Sequence, residues 1–452
     1  AGAGLGTFGL DYTNYLQATS TTGRQISSFS DPNTALQSVF GRAILNYRNR
    51  YLLTGTIRAD GSTKFGANNR YGYFPSFSAA WDIGQESFWG VQAVNQLKLR
   101  VGYGRTGNQE FPAGASQSQY AFLSPQGNGA LGQITNFNPN LKWQSDAQFN
   151  VGLDLGFLEN RFIVSADYFN RRTTDLLFPT VPIQPAAPTG SVTWDNLEGE
   201  IVNRGFELLA VANVLENPNG FGLTLTGNAT FIENEVSGLP APIFTGQLNG
   251  QGLSGVLVQT IRNGAPINSF YTRRFQGINP TTGQASYENE GSFFLVGNPN
   301  PSVLAGLAIN ASYRKLSLAV NTTGVFGQDI YNNTLNSVLN VSQLRTGRNI
   351  ALSNFEAPVE EAISNPVTAS SRFIQDGSFV KLNNATLSYS LGDLGTNFRN
   401  ASIYLTGQNL FVITDYEGFD PEVNTNKVNN GVPSIGIDYI GYPSARTFTL
   451  GF

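Results

Sequence analysis

Residues 51–89 read YLLTGTIRADGSTKFGANNRYGYFPSFSAAWDIGQESFW. The segment runs as a strand, a polar Gly/Asn loop and a returning strand. On the return, Tyr71, Tyr73, Phe77, Ala79 and Trp81 take the odd positions, and Gly72, Ser76, Ser78 and Asp82 the even ones. Successive side chains of a strand point to opposite faces. Large apolar residues on one face, small polar ones on the other and aromatics near both ends predict lipid outside and a polar lumen inside. A one-residue slip would exchange the two faces.

The same alternation recurs along the chain. Leu97, Leu99, Val101 and Tyr103 interleave with Lys98, Arg100, Gly102 and Gly104; Phe149, Val151, Leu153 and Leu155 with Asn150, Gly152 and Asp154. Phe448, Leu450 and Phe452 close the chain in the same manner. A soluble sandwich strand also alternates, but its outward face is the polar one, and Gly, Ser and Asn fill a core poorly. About sixteen strands are expected in an all-β, transmembrane antiparallel barrel. They begin near Thr7–Ser20 and Leu36–Arg48 and end at Ala401–Thr414 and Ser444–Phe452; the pair Gly255–Arg262 and Ile267–Gly277 is counted among them. Short connections such as 49–50 and 314–315 largely alternate with long ones near 107–141, 176–199, 235–255 and 331–371, as short periplasmic turns alternate with long external loops.

Composition agrees. Charged residues make up only 13% of the 452, against 50 Gly and 32 Phe, whereas soluble domains carry about 25% charge. The net charge of −4 gives no basic stripe for nucleic acid. Cys and His are both absent, which removes disulfides, thiolate sites and the commonest general base and metal ligand. No apolar run is long enough for a helical span, so a membrane crossing is by closed barrel.

Sites of chemistry are scarce. The stretch 287–292 offers two carboxylates without the D-x-[DN]-x-[DN]-G pattern, too few oxygens for calcium, so no metal is expected. GYGRTG at 102–107 lacks the ending of a phosphate loop and precedes no helix. No nucleophile with an activating partner can be identified, so neither an enzyme nor a cofactor is expected. The long loops hold Phe111, Tyr120, Phe137, Trp194, Tyr331 and Tyr416 among amides and hydroxyls. Aromatic faces beside such groups suit sugars or peptides, and these six are the candidate substrate-binding residues; packing within the loops is the competing role.

Several segments together carry a resemblance: YLLTGTIRADGSTKFGANNRYGYFPSFSAAW at 51–81, LKLRVGYGRTGNQ at 97–109, NPNLKWQ at 138–144 and VGLDLGFLENRFIVSADYFNRRTTDLL at 151–177. NRGFEL at 203–208, GNPNPS at 297–302, SRFIQDGSFVKLNNATLSYSL at 371–391, GQNLFVITDYEGFDPEV at 407–423 and YPSARTFTLGF at 442–452 follow in order. They resemble SusC/RagA-type TonB-dependent transporters of the Gram-negative outer membrane. The resemblance implies a plugged barrel of about 22 strands, with residues 1–452 as its C-terminal part and the plug, the TonB-box region and the first strands upstream. Relatives also run a few residues past an R-T-F-T-L-G segment. The implied activity is TonB-driven import of oligosaccharides or peptides with a SusD-like surface lipoprotein docked on the long loops. Outer-membrane lipid surrounds the wall, and a dimer of transporter–lipoprotein pairs is compatible. The alternative is a passive porin of about sixteen strands, complete in itself.

Overall fold

The computed structural model describes residues 2–3, 26–27, 34–118, 120–122, 131–133, 136–180, 192–217, 220–250, 253–396 and 398–452. Its main element is a thirteen-stranded sheet in which each strand pairs with the next along the chain. The first seven strands are β1 (Leu36–Tyr47), β2 (Tyr51–Ser62), β3 (Tyr71–Asp82), β4 (Val94–Asn108), β5 (Gln144–Phe157), β6 (Phe162–Thr180) and β7 (Thr193–Leu215). The rest are β8 (Phe221–Ser237), β9 (Val303–Tyr313), β10 (Leu316–Phe326), β11 (Phe379–Leu394), β12 (Phe398–Thr414) and β13 (Thr447–Gly451). All neighbours are antiparallel. Among the described residues, the outer edges of β1 and β13 have no partner strand.

The register places the alternating faces as the pattern in 51–89 predicts. Tyr73 and Phe77 are 65% and 52% exposed on the outer face. Trp81 shares that face and stacks on Tyr51 of β2 with ring centroids 6.2 Å apart. Towards the other end, Tyr168 and Phe206 meet across β6 and β7 at 5.2 Å. Aromatics therefore border the apolar band at both ends, where their amphipathic rings suit the lipid–water interface. Phe74 is the inward exception. Its ring covers Gly72 and Gly107, where a Cβ would stand 2.5 and 2.1 Å from it, and it meets Trp143 edge-on at 5.5 Å.

Connections at one end are tight. At 48–50, Arg48 and Asn49 adopt positive φ, and the Asn49 N–H donates to Asn46 Oδ1 at 3.0 Å. Asn tolerates the left-handed region and satisfies its own turn. At the other end, segments 63–70, 109–143, 181–192, 238–302, 327–378 and 415–446 join the strands. β6, β7 and β8 have 19, 23 and 17 residues, whereas about 9–11 span a bilayer. Their surplus rises above the membrane and carries these segments.

Two expectations change here. The pair Gly255–Arg262 and Ile267–Gly277 is not part of the wall. Those residues contribute to a four-stranded sheet of Ile243–Gly250, Leu253–Ile261, Ser269–Arg273 and Phe293–Gly297 inside the segment 238–302. The reason is packing: Val258, Gln259, Thr260 and Ile261 are all buried in succession, whereas a wall strand keeps one face towards lipid. The expected strand Thr7–Ser20 lies outside the described residues, so thirteen of the sixteen expected strands form the wall.

Candidate lumenal wall and external rim

Inward positions are set by strand register, and on β4, β5 and β6 they bring charges together. Arg100 of β4 faces Gly152 of β5, and Gly152 faces Asp167 of β6. The Arg100 guanidinium donates from Nε to Asp154 Oδ2 and from Nη2 to Asp154 Oδ1 and Asp167 Oδ2, each at 2.8 Å. Ser165 Oγ donates to Asp154 Oδ1 at 2.8 Å. A Cβ on Gly152 would fall 2.0 Å from Asp167 Oδ1, so glycine leaves the space in which the cluster closes. Nearer the rim, Arg171 pairs with Asp146 at 3.2 Å, and Thr173 also donates to that carboxylate. The planar fork of Arg suits such bridging of neighbouring carboxylates.

From β8 onward the inner face changes character. Asn234 donates to Asn203 at 2.7 Å, Asn321 to Asn384 at 2.9 Å and Asn383 to Thr323 at 2.6 Å, while Thr386 and Thr406 share a bond of 2.9 Å. These are neutral amide and hydroxyl pairs linking adjacent strands. The inward charge on these strands is Lys381, at the rim, where it pairs with Glu422 of the segment 415–446.

Above the wall, the external segments pack on cores of their own. Phe65, Phe111, Leu141 and Leu177 form one, with Trp143 and Trp194 against it. A second holds Leu248, Val258, Phe270, Tyr331, Phe373 and Ile437, drawn from 238–302, 327–378 and 415–446. A third, around Val236, Leu239, Ile261 and Val432, is flanked by Phe178 of β6.

The six candidate aromatics distribute over these cores. Phe111, 4% exposed, sits 5.1 Å from Phe65 and 6.2 Å from Trp194, with the Lys64 ammonium 5.2 Å from its ring. Tyr331 is fully buried, and its Oη accepts from Asn336 at 3.1 Å. Tyr416 is buried and donates to Asp438 Oδ2 at 2.7 Å. Trp194 and Phe137 are half-buried. Tyr120 belongs to the short strand Tyr120–Phe122, and its side chain lies outside the described residues. Phe111 and Trp194 are thus brought together, while Tyr331 pairs with Ile437 in a short parallel ladder whose next residue, Asp438, accepts from Tyr416. Exposed rim aromatics include Phe244, Phe293, Phe355, Phe419 and Tyr442; nothing in their local sequence separates them from the buried ones.

Burial shifts the titration of this rim. It raises Tyr331 and Tyr416 well above the ordinary tyrosine range, and the hydrogen bond to Asp438 adds to the effect at Tyr416. It raises Asp329 above the usual carboxylate range against the opposing Asn298 N–H, which donates to Asp329 Oδ2 at 2.7 Å; nearby Asp376 raises it further. No group of His, Cys, Asp and Glu with metal-holding proximity occurs among the described residues. No described helix is long and apolar enough to cross a membrane.

Residues 2–410 match the family described as TonB dependent receptor-like, beta-barrel. The chain is 32% identical over 463 residues to TonB-dependent receptor P3 of Formosa agariphila, covering 92% of this chain and 45% of that protein. It is 31% identical over 465 residues to TonB-dependent receptor SusC of Bacteroides thetaiotaomicron, covering 95% and 44%. The chain spans about half the length of the curated relatives it matches. Among solved structures, that of the RagAB peptide transporter shares the fold with a TM-score of 0.76 at 22% identity, over 95% of this chain and 49% of that one.

Proposed function

The chain belongs to the family of TonB-dependent receptor-like β-barrels, and we propose that it forms the larger part of the wall and rim of an active importer in the Gram-negative outer membrane. The whole of residues 1–452 is assigned to the C-terminal part of that barrel; the remaining wall and the plug come from the rest of the protein. The imported substrate is an oligosaccharide or a peptide, the two classes implied by the resemblance to SusC/RagA-type transporters; the structural neighbour RagAB is itself a peptide transporter. A SusD-like surface lipoprotein docks on the external segments, TonB supplies the force, and pairs of transporter and lipoprotein are free to dimerise.

The observation that carries this reading is the wall itself. Thirteen strands present an apolar, aromatic-bordered outside and a polar inside, yet the outer edges of β1 and β13 are unpaired among the described residues. Unpaired strand edges are not tolerated in lipid. We read the wall as a sector of a larger barrel rather than a finished pore, a reading supported by relatives about twice the length of this chain. Within the rim, Phe111, Tyr331 and Tyr416 support the loops from inside, and Trp194 and Phe137 retain partly open faces for substrate. The chemistry is binding and passage, with no catalytic step.

Uptake in cells with and without TonB tests the reading. An importer loses uptake of its oligosaccharide or peptide when TonB is removed, while its barrel stays in the membrane. Uptake that continues unchanged without TonB would establish the passive sixteen-stranded porin instead.

A further inference from the structure

The inner face of this wall is divided by charge. From β1 to β7, inward positions include Arg42, Lys98, Arg100, Asp154, Asp167 and Glu207. Arg100 bridges Asp154 and Asp167, which leaves one negative charge in excess; Lys98 stands in register between Asp82 and Asp154, and Arg42 and Glu207 make no ion pair among the described residues. From β8 to β13, the inward positions between the periplasmic turns and the rim are neutral: Asn228, Asn310, Ala319, Asn321, Thr386 and Gln408 are representative. The boundary is sharp, because Glu207 of β7 stands opposite Thr230 of β8.

The two sectors differ in how they hold what touches them. Charges left unpaired on a lumenal wall favour a polypeptide surface of complementary charge, and separating such pairs exposes both partners. Amides and hydroxyls exchange readily between one another, water and a polar chain, because each bond lost is replaced by one of similar worth. A segment filling the lumen is therefore held more tightly against β1–β7 than against β8–β13.

Building on the importer reading, we propose that the passage opens along the amide-lined sector β8–β13, while the ionic sector β1–β7 remains the fixed seat of the plug. The substrate then moves past Asn and Thr side chains and meets no fixed charge below Lys381.

The absence of Cys from these 452 residues supplies the test. Single cysteines are placed in the full-length transporter at Ala308→Cys and Ala319→Cys in the neutral sector, and at Ser78→Cys and Gly102→Cys in the ionic one. All four positions face inward, and none of these side chains makes an ion pair. A Cβ at Gly102 would meet nothing within 4 Å. Labelling by a polar biotin–maleimide is followed in cells with energised TonB and in cells lacking TonB, and is normalised to folded barrel in the membrane. The expected result is a several-fold rise with TonB at Ala308 and Ala319 and no change at Ser78 and Gly102. A rise at Ser78 and Gly102, alone or equally with the other pair, overturns the sector assignment while leaving TonB-driven import intact. Labelling independent of TonB at all four positions overturns both this assignment and the importer reading.

Discussion

Arg100 and Asp154 meet side by side on adjacent strands, with two N–H groups of one guanidinium bonded to the two oxygens of one carboxylate at 2.8 Å each. The same guanidinium reaches on to Asp167, so removing it takes the shared cation from two neighbouring carboxylates. The Arg100 side chain is 36% exposed to the lumen. The expected cost of Arg100→Ala is accordingly about 1–2 kcal/mol, between that of an exposed pair and a buried one. It is read as a lower temperature at which the folded full-length barrel unfolds in detergent. Adding Asp167→Asn should recover part of the loss, and a second variant that recovers nothing would refute the like-charge account.

Gly152 makes a sharper test of the same cluster. Because a Cβ there would fall on Asp167 Oδ1 and close to Arg100 Nη2, Gly152→Ala should disrupt the bridge without removing any of its charges. The expectation is a loss comparable to that of Arg100→Ala, with the two changes far from additive because they break one interaction. Additive losses would show that Gly152 serves only the backbone.

The outer face answers to lipid rather than to charge pairing. Ala79 lies between Leu53 of β2 and Val101 of β4 on the outward register, and its neighbour Ser78 points to the lumen. Ala79→Arg should destabilise the barrel by about 2–4 kcal/mol if the site lies near the bilayer midplane. Ser78→Arg, one residue away, should be far better tolerated because water reaches it. Equal folded yields of the two variants in the membrane would contradict the assigned faces.

What the sequence disclosed follows from how each contact is specified. The faces of β3, from Tyr71 to Asp82, could be read because period-two alternation needs only one strand and a solvent on each side. The Arg100–Asp154–Asp167 cluster was missed because it depends on the mutual register of three strands. Drawing the partners Arg100–Gly152–Asp167 would have revealed it. The external rim was less legible still. Tyr331 packs 6.2 Å from both Phe270 and Phe373, residues on different segments of the rim. An aromatic in a polar loop looks the same in sequence whether it faces a ligand or another loop. Gly255–Gly277 misled for a related reason: short apolar runs suit a lipid-facing strand and a loop sheet buried on both sides equally well.

Asp329 gives the rim a pH dependence of known sign. Its carboxyl titrates above the ordinary range in the folded state, so the protonated form is the one the fold favours. That contribution is present below the unfolded value of about 3.9 and is lost as pH rises through the raised one. Asp329→Asn stays neutral and keeps an oxygen for the Asn298 N–H. It should therefore slow amide exchange around 297–298 and 328–330 at pH 7, with the advantage fading below pH about 4. Faster exchange at pH 7 would mean that the ionised carboxylate is needed there.

Tyr416 and Tyr331 allow the rim's buried hydroxyls to be compared. Tyr416 Oη donates to a carboxylate that is 1% exposed, and Asp438 Oδ1 has no hydrogen-bond partner among the described residues. Tyr416→Phe leaves that carboxylate without its donor, an expected cost of about 1–3 kcal/mol. Tyr331→Phe removes a bond between neutral groups, from Asn336, and should cost about 0.5–1.5 kcal/mol. Both losses fall on the external segments, beyond the lipid-facing part of the strands, so the detergent stability of the barrel should change little. The readout is protease cleavage within 415–446 on intact cells: faster for Tyr416→Phe than for Tyr331→Phe, and restored when Asp438→Asn is added to the former. The raised titration of Tyr416 adds that wild-type protection should persist up to the ordinary tyrosine value of about 10 and fall above it. Equal cleavage of the two single variants, or no restoration by Asp438→Asn, would show that the Tyr416–Asp438 bond does not hold the rim together.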